Sequence, residues 1–364
     1  MHLIFYPSFL YNRMRLFWQN NFIKPSILQH VINEYGIKLI DNNQRSLGGY
    51  RGVNIIIETS QGRKVLKRYK PTLGHSTIAQ EHSILKYLNR NEFPAPHLKT
   101  AKSGETLIGI ENQKFALFDF IDKGYHYNNF ILFRRQIKKY IKTAGRTLGN
   151  LHKLFVNFQP DGYNPDGFKS IDGDRWRTAE WFIDKLNYCI EKTDIFVDPE
   201  NENKLKLLFN NADVYKEKLV GLDYSLKNNR TPCIVIHGDF TPYNLLYLNY
   251  NLAFVLDFEM ARLDWRLVDI IRSWHAFCSS KGGFDLEKMK IFFDAYQNHM
   301  SVPDDELKLI PKIWEYFCII NIIQSWRGFI QVKTADRLDK ICHYFNGLKW
   351  IDYNQKRLLH FLRS

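Results

Sequence analysis

The densest group of reactive side chains lies in HGDFTPYNLLYLNYNLAFVLDFE, residues 237–259. His237, Asp239 and Asn244 fall in one short loop between predicted strands, and Asp257 and Glu259 stand at the end of the next strand. Side chains at i and i+2 on an extended segment share a face. Asp257 and Glu259 are therefore expected to point the same way and, with Asp239 and Asn244, to converge on one small volume. Carboxylate and amide oxygens gathered in this way suit Mg²⁺, a hard cation that also takes phosphate oxygens. A carboxylate that can accept a hydroxyl proton supplies what remains to be found for phosphoryl transfer.

A second group lies upstream. Gly48, Gly49, Tyr50, Arg51 and Gly52 form a turn between two predicted strands, where bare backbone can cover phosphates. Lys67, on the second of those strands, can reach α- and β-phosphates, and Glu81 on the following segment can hold the lysine by an ion pair. Lys64, Arg68 and Lys70 read as surface decoration. His237 reads as a packing and hydrogen-bonding residue rather than an acid or base, and His152 as a satisfied core histidine.

The elements that must position these groups follow from periodicity. A short helix is expected over 25–35, opened by Pro25 and Ser26. Strands are expected in 47–59 and 64–69, then an amphipathic helix over 76–90 capped by Ser76 or Thr77. Two further strands follow at 106–111 and 114–121. From about residue 130 the pattern turns helical (131–156, 176–192, 201–220, 265–279, 285–298 and 305–330), broken by a small strand pair within 233–258. Strands first and helices after argue an α+β chain. Its expected divisions are an N-terminal extension and helix (1–36), a β-rich nucleotide-binding lobe (37–121) and a larger helical lobe (122–364).

With these residues in place, the chain resembles the aminoglycoside phosphotransferase-like, or choline-kinase-like, small-molecule kinases. The resemblance runs from about Leu47 to about Trp274. HGDFTPYN is similar to that family's catalytic loop, LDFE to its metal-binding motif, and VDIIRSW (268–274) to the segment whose Asp braces the loop. The resemblance implies a bilobal protein-kinase-like fold and an ATP- and Mg-dependent transfer to a hydroxyl of a small molecule. It implies Asp239 as catalytic base, Asn244 and Asp257 as metal ligands, and Asp269 and His237 as structural support. It further implies Lys67 on phosphate, held by Glu81, and adenine against the backbone of Phe118, Asp119 and Phe120. Two departures stand out. The glycine turn is GGYRG rather than GxGxxG, and Glu259 occupies a position where many relatives have Asp, so its place on the metal is open.

Only 12 positions separate Asp257 from Asp269, too few for a peptide-docking activation segment. A small acceptor is expected instead: a sugar, amino sugar, amino alcohol, homoserine-like compound or antibiotic. It would enter near the 159–174 loop, where Trp176, Trp181, Trp265, Trp274, Tyr316 and Trp326 offer one or two wall residues among a majority in the core. The chain carries 51 Lys and Arg against 38 Asp and Glu, and residues 1–121 hold 16 of the former and 8 of the latter. That excess favours anionic ligands in general and weakly disfavours a polycationic aminoglycoside. No Lys/Arg run exceeds two and no zinc-finger or RNA-binding signature occurs, so nucleic acid is not an expected partner. Five scattered cysteines without a CxxC argue against disulfides and a cysteine metal site, and for the cytoplasm. Arg13 and Arg15 interrupt the apolar N-terminus, so a signal peptide is not expected, and membrane-surface contact by the first 18 residues is the minor reading. The alternatives are a catalytically silent kinase-fold scaffold and a lipid or glycolipid kinase at a membrane surface.

Overall fold

The structure, a computed structural model, describes residues 22–48, 52–122, 124–126, 136–161, 178–193, 199–228, 233–248, 250–251, 253–280, 283–332 and 334–364. Gly49, Tyr50, Arg51, Trp176, the N-terminal 18 residues and nearly all of the 159–174 loop lie outside them. Chain contacts divide the protein into two units, Met1–Lys123 and Gly124–Ser364.

The first unit opens with helix α1 (Pro25–Glu34), where proline occupies an early position that has no hydrogen bond to lose. Strands β1 (Arg45–Gly48), β2 (Gly52–Thr59) and β3 (Gly62–Tyr69) precede helix α2 (His75–Arg90), and β4 (Ile108–Ile110) and β5 (Gln113–Asp119) follow it. All pairings are antiparallel, in the order β1-β2-β3-β5-β4. Ile27, Leu28, Val31 and Ile32 of α1 share one core with Ile55, Ile57, Leu66, Phe115 and Leu117 of the sheet. Helix α2 begins after the extended residue Gly74 with no side-chain cap, so Ser76 and Thr77 lie inside the helix and do not cap it.

The second unit begins at β6 (Tyr125–His126), followed by helices α3 (Ile137–Phe155), α4 (Ala179–Lys192) and α5 (Pro199–Asn228). Strands β7 (Cys233–Ile236), β8 (Leu245–Tyr247), β9 (Ala253–Val255) and β10 (Arg262–Trp265) come next. They form two small antiparallel sheets, β10-β7 and β6-β8-β9. Helix α6 (Arg266–Phe277), the short strands β11 (Ser279–Ser280) and β12 (Gly283–Phe284), and helices α7 (Leu286–Gln297), α8 (Asp304–Leu307), α9 (Ile310–Val332) and α10 (Ala335–Arg363) complete it. The single helix expected over 305–330 is thus two. Its long part starts afresh at Ile310, where Pro311 lacks the N–H that a continuous helix would need.

Trp265, Trp274, Tyr316 and Trp326 are all buried, so these four belong to the core and not to an acceptor wall. Trp274 donates its ring N–H to the Met289 carbonyl at 3.2 Å, and Trp326 donates to Thr193 at 2.8 Å. Among the described residues no helix is long and apolar enough to cross a membrane.

Candidate active site

In the first unit, β3 and α2 bring a lysine and a glutamate together. Lys67 Nζ lies 2.7 Å from Glu81 Oε1, and both side chains are buried. A buried ion pair is worth keeping only when further hydrogen bonds meet its remaining valences. Tyr69 supplies one, donating to Glu81 Oε2 at 2.9 Å, and its ring sits 4.7 Å from the Lys67 ammonium. The tyrosine oxygen also lies 3.0 Å from His82 Nε2, and His82 Nδ1 lies 2.8 Å from the Thr106 hydroxyl. Burial, with Lys67 and Lys86 nearby, lowers the His82 pKa to about 3, so this histidine stays neutral.

The other upstream candidates have structural work of their own. A Cβ on Gly52 would stand 2.6 Å from the Arg68 carbonyl, so glycine here is required by the close approach of β2 to β3. Gly48 ends β1 beside an irregularity in the β1–β2 register, and Gly49 is outside the described residues. Asp119 pairs with Lys64 at 2.9 Å, and its backbone N–H donates to the His97 carbonyl. The N–H of Phe120 donates to the Arg63 carbonyl, and Phe118 is buried in β5. Lys64 is therefore no surface ornament: it is buried, bonding the Gln61 carbonyl as well as Asp119.

In the second unit, β7 runs directly into the loop that carries His237, Gly238 and Asp239. Asp269, fully buried on α6, receives the His237 N–H at 2.7 Å and the Gly238 N–H at 2.9 Å, one on each carboxylate oxygen. His152 Nε2 completes the arrangement 3.2 Å from the same carboxylate, with its Nδ1 2.9 Å from the Tyr296 hydroxyl. Burial is the largest influence on Asp269 and opposes its charge, yet His152 and the surrounding positive groups prevail and hold the pKa below the ordinary value. His237 is buried too. Its Nε2 lies 2.9 Å from the Leu256 carbonyl and its Nδ1 accepts from the Asp239 N–H at 3.2 Å, so both ring nitrogens serve the loop. Gly238 adopts φ +76°, and a Cβ there would meet the Met260 carbonyl at 2.2 Å.

Asp239 emerges from this framework half-buried. The Asn244 side-chain amide, on a tight turn over Pro242–Asn244, donates to the Asp239 carbonyl at 2.8 Å and to its Oδ2 at 2.9 Å. The other carboxylate oxygen accepts from Arg272 Nη1 at 3.0 Å. Asn244 also accepts the Leu256 N–H on its backbone carbonyl at 2.8 Å, which ties the loop to the segment leading to Asp257.

Asp257 departs from the extended geometry expected of it. Its φ of 62° and ψ of 75° are left-handed, and a tight turn, Phe258–Met260, follows at once. The i, i+2 rule fails across that twist: Asp257 is exposed whereas Glu259 is buried. A non-glycine residue in this region is strained. The donors fit a magnesium ion nonetheless. The Asn244 nitrogen is committed to Asp239, which leaves its amide oxygen for a cation, and Asp257 adds an accessible carboxylate. Among the described residues no three His, Cys, Asp or Glu side chains group as a metal site. The set is the kind that holds Mg²⁺ with phosphate oxygens rather than in an all-protein cage.

Arg272 was not singled out in the sequence. It stands three residues after Asp269, on the same face of α6, and that spacing was the available signal.

Three kinds of comparison bear on the chain. The profile of the APH phosphotransferase enzyme family matches residues 44–300. A homoserine kinase of Rhizobium etli is 20% identical over 288 residues, covering 78% of this chain and 79% of the relative. Among solved structures, an amicoumacin kinase in complex with AMP-PNP, Ca²⁺ and its ligand superposes with a TM-score of 0.65 at 13% identity, covering 92% of this chain and 95% of that one. An ethanolamine kinase of Plasmodium vivax gives 0.60 at 16% identity, with 98% and 99% covered. These likenesses establish the expected α+β, protein-kinase-like fold.

Proposed function

The chain belongs to the APH phosphotransferase enzyme family, and on that premise we propose that it moves the γ-phosphoryl group of ATP, with Mg²⁺, to a hydroxyl of a small molecule. Asp239 accepts the hydroxyl proton on a carboxylate oxygen. Asn244 and Asp257 hold the metal, and Glu259, buried beside them in sequence, supports the turn. Lys67, kept in place by Glu81, binds the α- and β-phosphates, and the Phe118–Phe120 backbone takes the adenine. Bound there, Mg²⁺ supplies charge neutralisation on the transferring group.

The observation that carries the reading is the bracing of one loop. Asp269 fixes the two backbone N–H groups just before Asp239, and Asn244 and Arg272 then hold one carboxylate oxygen each. A base fixed before substrate arrives needs little reorganisation during reaction. The segment from Asp257 to Asp269 is filled by a tight turn, β10 and the start of α6, which favours a small acceptor over a peptide. Homoserine is the first acceptor to try, given the homoserine kinase relatives, followed by amino alcohols. The scattered cysteines favour the cytoplasm as the place of action.

The test is transfer of label from [γ-³²P]ATP to homoserine, amino alcohols, sugars, amino sugars and aminoglycosides, with and without Mg²⁺. Labelled product from one class, only with Mg²⁺, supports the proposal. No product from any class, with no rise in melting temperature on adding Mg·ATP, makes the silent scaffold the better account.

A further inference from the structure

Behind the Lys67–Glu81 pair runs a relay of buried polar groups, Tyr69, His82 and Thr106. Each separation along it is a hydrogen-bond distance: 2.9 Å from the Tyr69 hydroxyl to Glu81 Oε2, 3.0 Å from that hydroxyl to His82 Nε2, and 2.8 Å from His82 Nδ1 to the Thr106 hydroxyl. The three residues come from different segments. Tyr69 ends β3, His82 lies on α2 next to Glu81, and Thr106 comes just before β4. The far end is anchored too, since the Thr106 carbonyl accepts from the Tyr35 hydroxyl, just past α1, at 3.0 Å.

Counting protons gives the relay one direction. The Glu81 carboxylate, paired with Lys67, can only accept, so the Tyr69 hydroxyl points its single proton there. The tyrosine oxygen then accepts from His82 Nε2–H, and His82 Nδ1 is left to accept the Thr106 proton. A reversed relay would set a phenol lone pair against a carboxylate oxygen with no proton between them. Every donor thus points towards Glu81, and successive bonds polarise one another. Lys67 holds Oε1 and Tyr69 holds Oε2, so neither carboxylate oxygen is left to swing.

We propose that Tyr69, His82 and Thr106 are positioning residues for the nucleotide: their relay locks the Glu81 carboxylate, and through it the Lys67 ammonium, into the place from which the lysine meets phosphate. The inference rests on the phosphotransferase reading above, which gives Lys67 that task, and extends the task to three residues that need touch no substrate. A pair held by its mutual attraction alone would have to be ordered when the nucleotide arrives. The relay does that ordering beforehand.

Two measurements test it. Nitrogen-15 NMR of histidine-labelled protein at neutral pH reads the tautomer, the His82 signals being assigned by their loss in His82→Gln. A protonated Nε2 and a bare Nδ1 are expected; the opposite tautomer, or an imidazolium, would overturn the relay. The second measurement is a calorimetric cycle of Mg·AMP-PNP affinity over Tyr69→Phe, His82→Leu and the double variant. Each single variant should weaken binding about fivefold. The double variant should be no worse than either, because His82 acts through the tyrosine hydroxyl. Thr106→Val should weaken binding in the same direction, and Thr106→Ser, which keeps the hydroxyl, should restore it. Circular dichroism checks that each variant is folded, and the threonine pair carries the comparison if His82→Leu is not. Wild-type affinity in the folded variants, or losses that simply add in the double variant, would overturn the proposal. A wild-type protein that fails to bind Mg·AMP-PNP would strike the phosphotransferase reading, and the positioning role with it, whatever the tautomer.

Discussion

Two carboxylates only 18 positions apart, Asp239 and Asp257, have environments that suit different tasks. Asp239 is half-buried and bonded on both oxygens, whereas Asp257 is exposed on strained backbone. Asp257→Ala should weaken Mg·ATP binding by about tenfold or more, read by calorimetry; unchanged affinity would remove it from the metal site. Glu81→Gln should raise the KM for ATP with a smaller effect on kcat, since Lys67 loses a charged partner while Tyr69 can still bond the amide. An ATP KM equal to that of the wild type would mean that the pair serves folding alone. At this scale the loop was legible because HGD, four residues and Asn fix a spacing that side chains cannot evade. The facing of Asp257 and Glu259 was not, because alternation along a strand carries no sign of a left-handed residue. Arg272 was missed because a basic residue on an amphipathic helix looks the same whether it meets solvent or a carboxylate.

Elements are held to their places by contacts that tolerate little change. Gly238→Ala should cost about 2–4 kcal/mol, because its Cβ would enter the Met260 carbonyl and its φ is positive. Gly221→Ala in α5 is the control: a Cβ there meets nothing within 4 Å. Removing a helical glycine should then stabilise by about 0.5–1 kcal/mol. Calorimetric melting of both variants reads the difference, and equal shifts would contradict the account of the loop. Helix α10 was the longest element the sequence reading passed over, although Leu338, Ile341, Leu348, Ile351, Leu358 and Leu362 are all buried at helical intervals. Its charged and aromatic residues between those positions dilute the apolar stripe. Lys64 was misplaced for a related reason: a lysine near the start of a strand looks exposed in sequence, and its burial is decided by its neighbour Asp119 across the sheet.

The whole molecule joins an antiparallel sheet unit to a helical one, and that segregation was visible from the order of strands and helices alone. Its stability should depend on pH through groups in both units. His82, neutral with a pKa of about 3 in the folded first unit, would take a proton near 6.5 when unfolded. Its contribution is present above about 6.5 and is lost as pH falls towards 3. Asp264 in the second unit is raised to about 6, chiefly by burial, and acts in the opposite sense, favouring the fold as pH falls from about 6 towards 4. His82→Gln should flatten the acid side of the stability curve, measured by urea unfolding between pH 4 and 7; an unchanged slope would mean that His82 does not set it. The central claim, that Asp239 is the base of an ATP-dependent hydroxyl phosphotransferase, is tested most directly by kcat of Asp239→Asn set beside its affinity for Mg·ATP. The account predicts a fall in kcat of about 100- to 10,000-fold with nucleotide affinity nearly unchanged. Wild-type turnover by Asp239→Asn would contradict it.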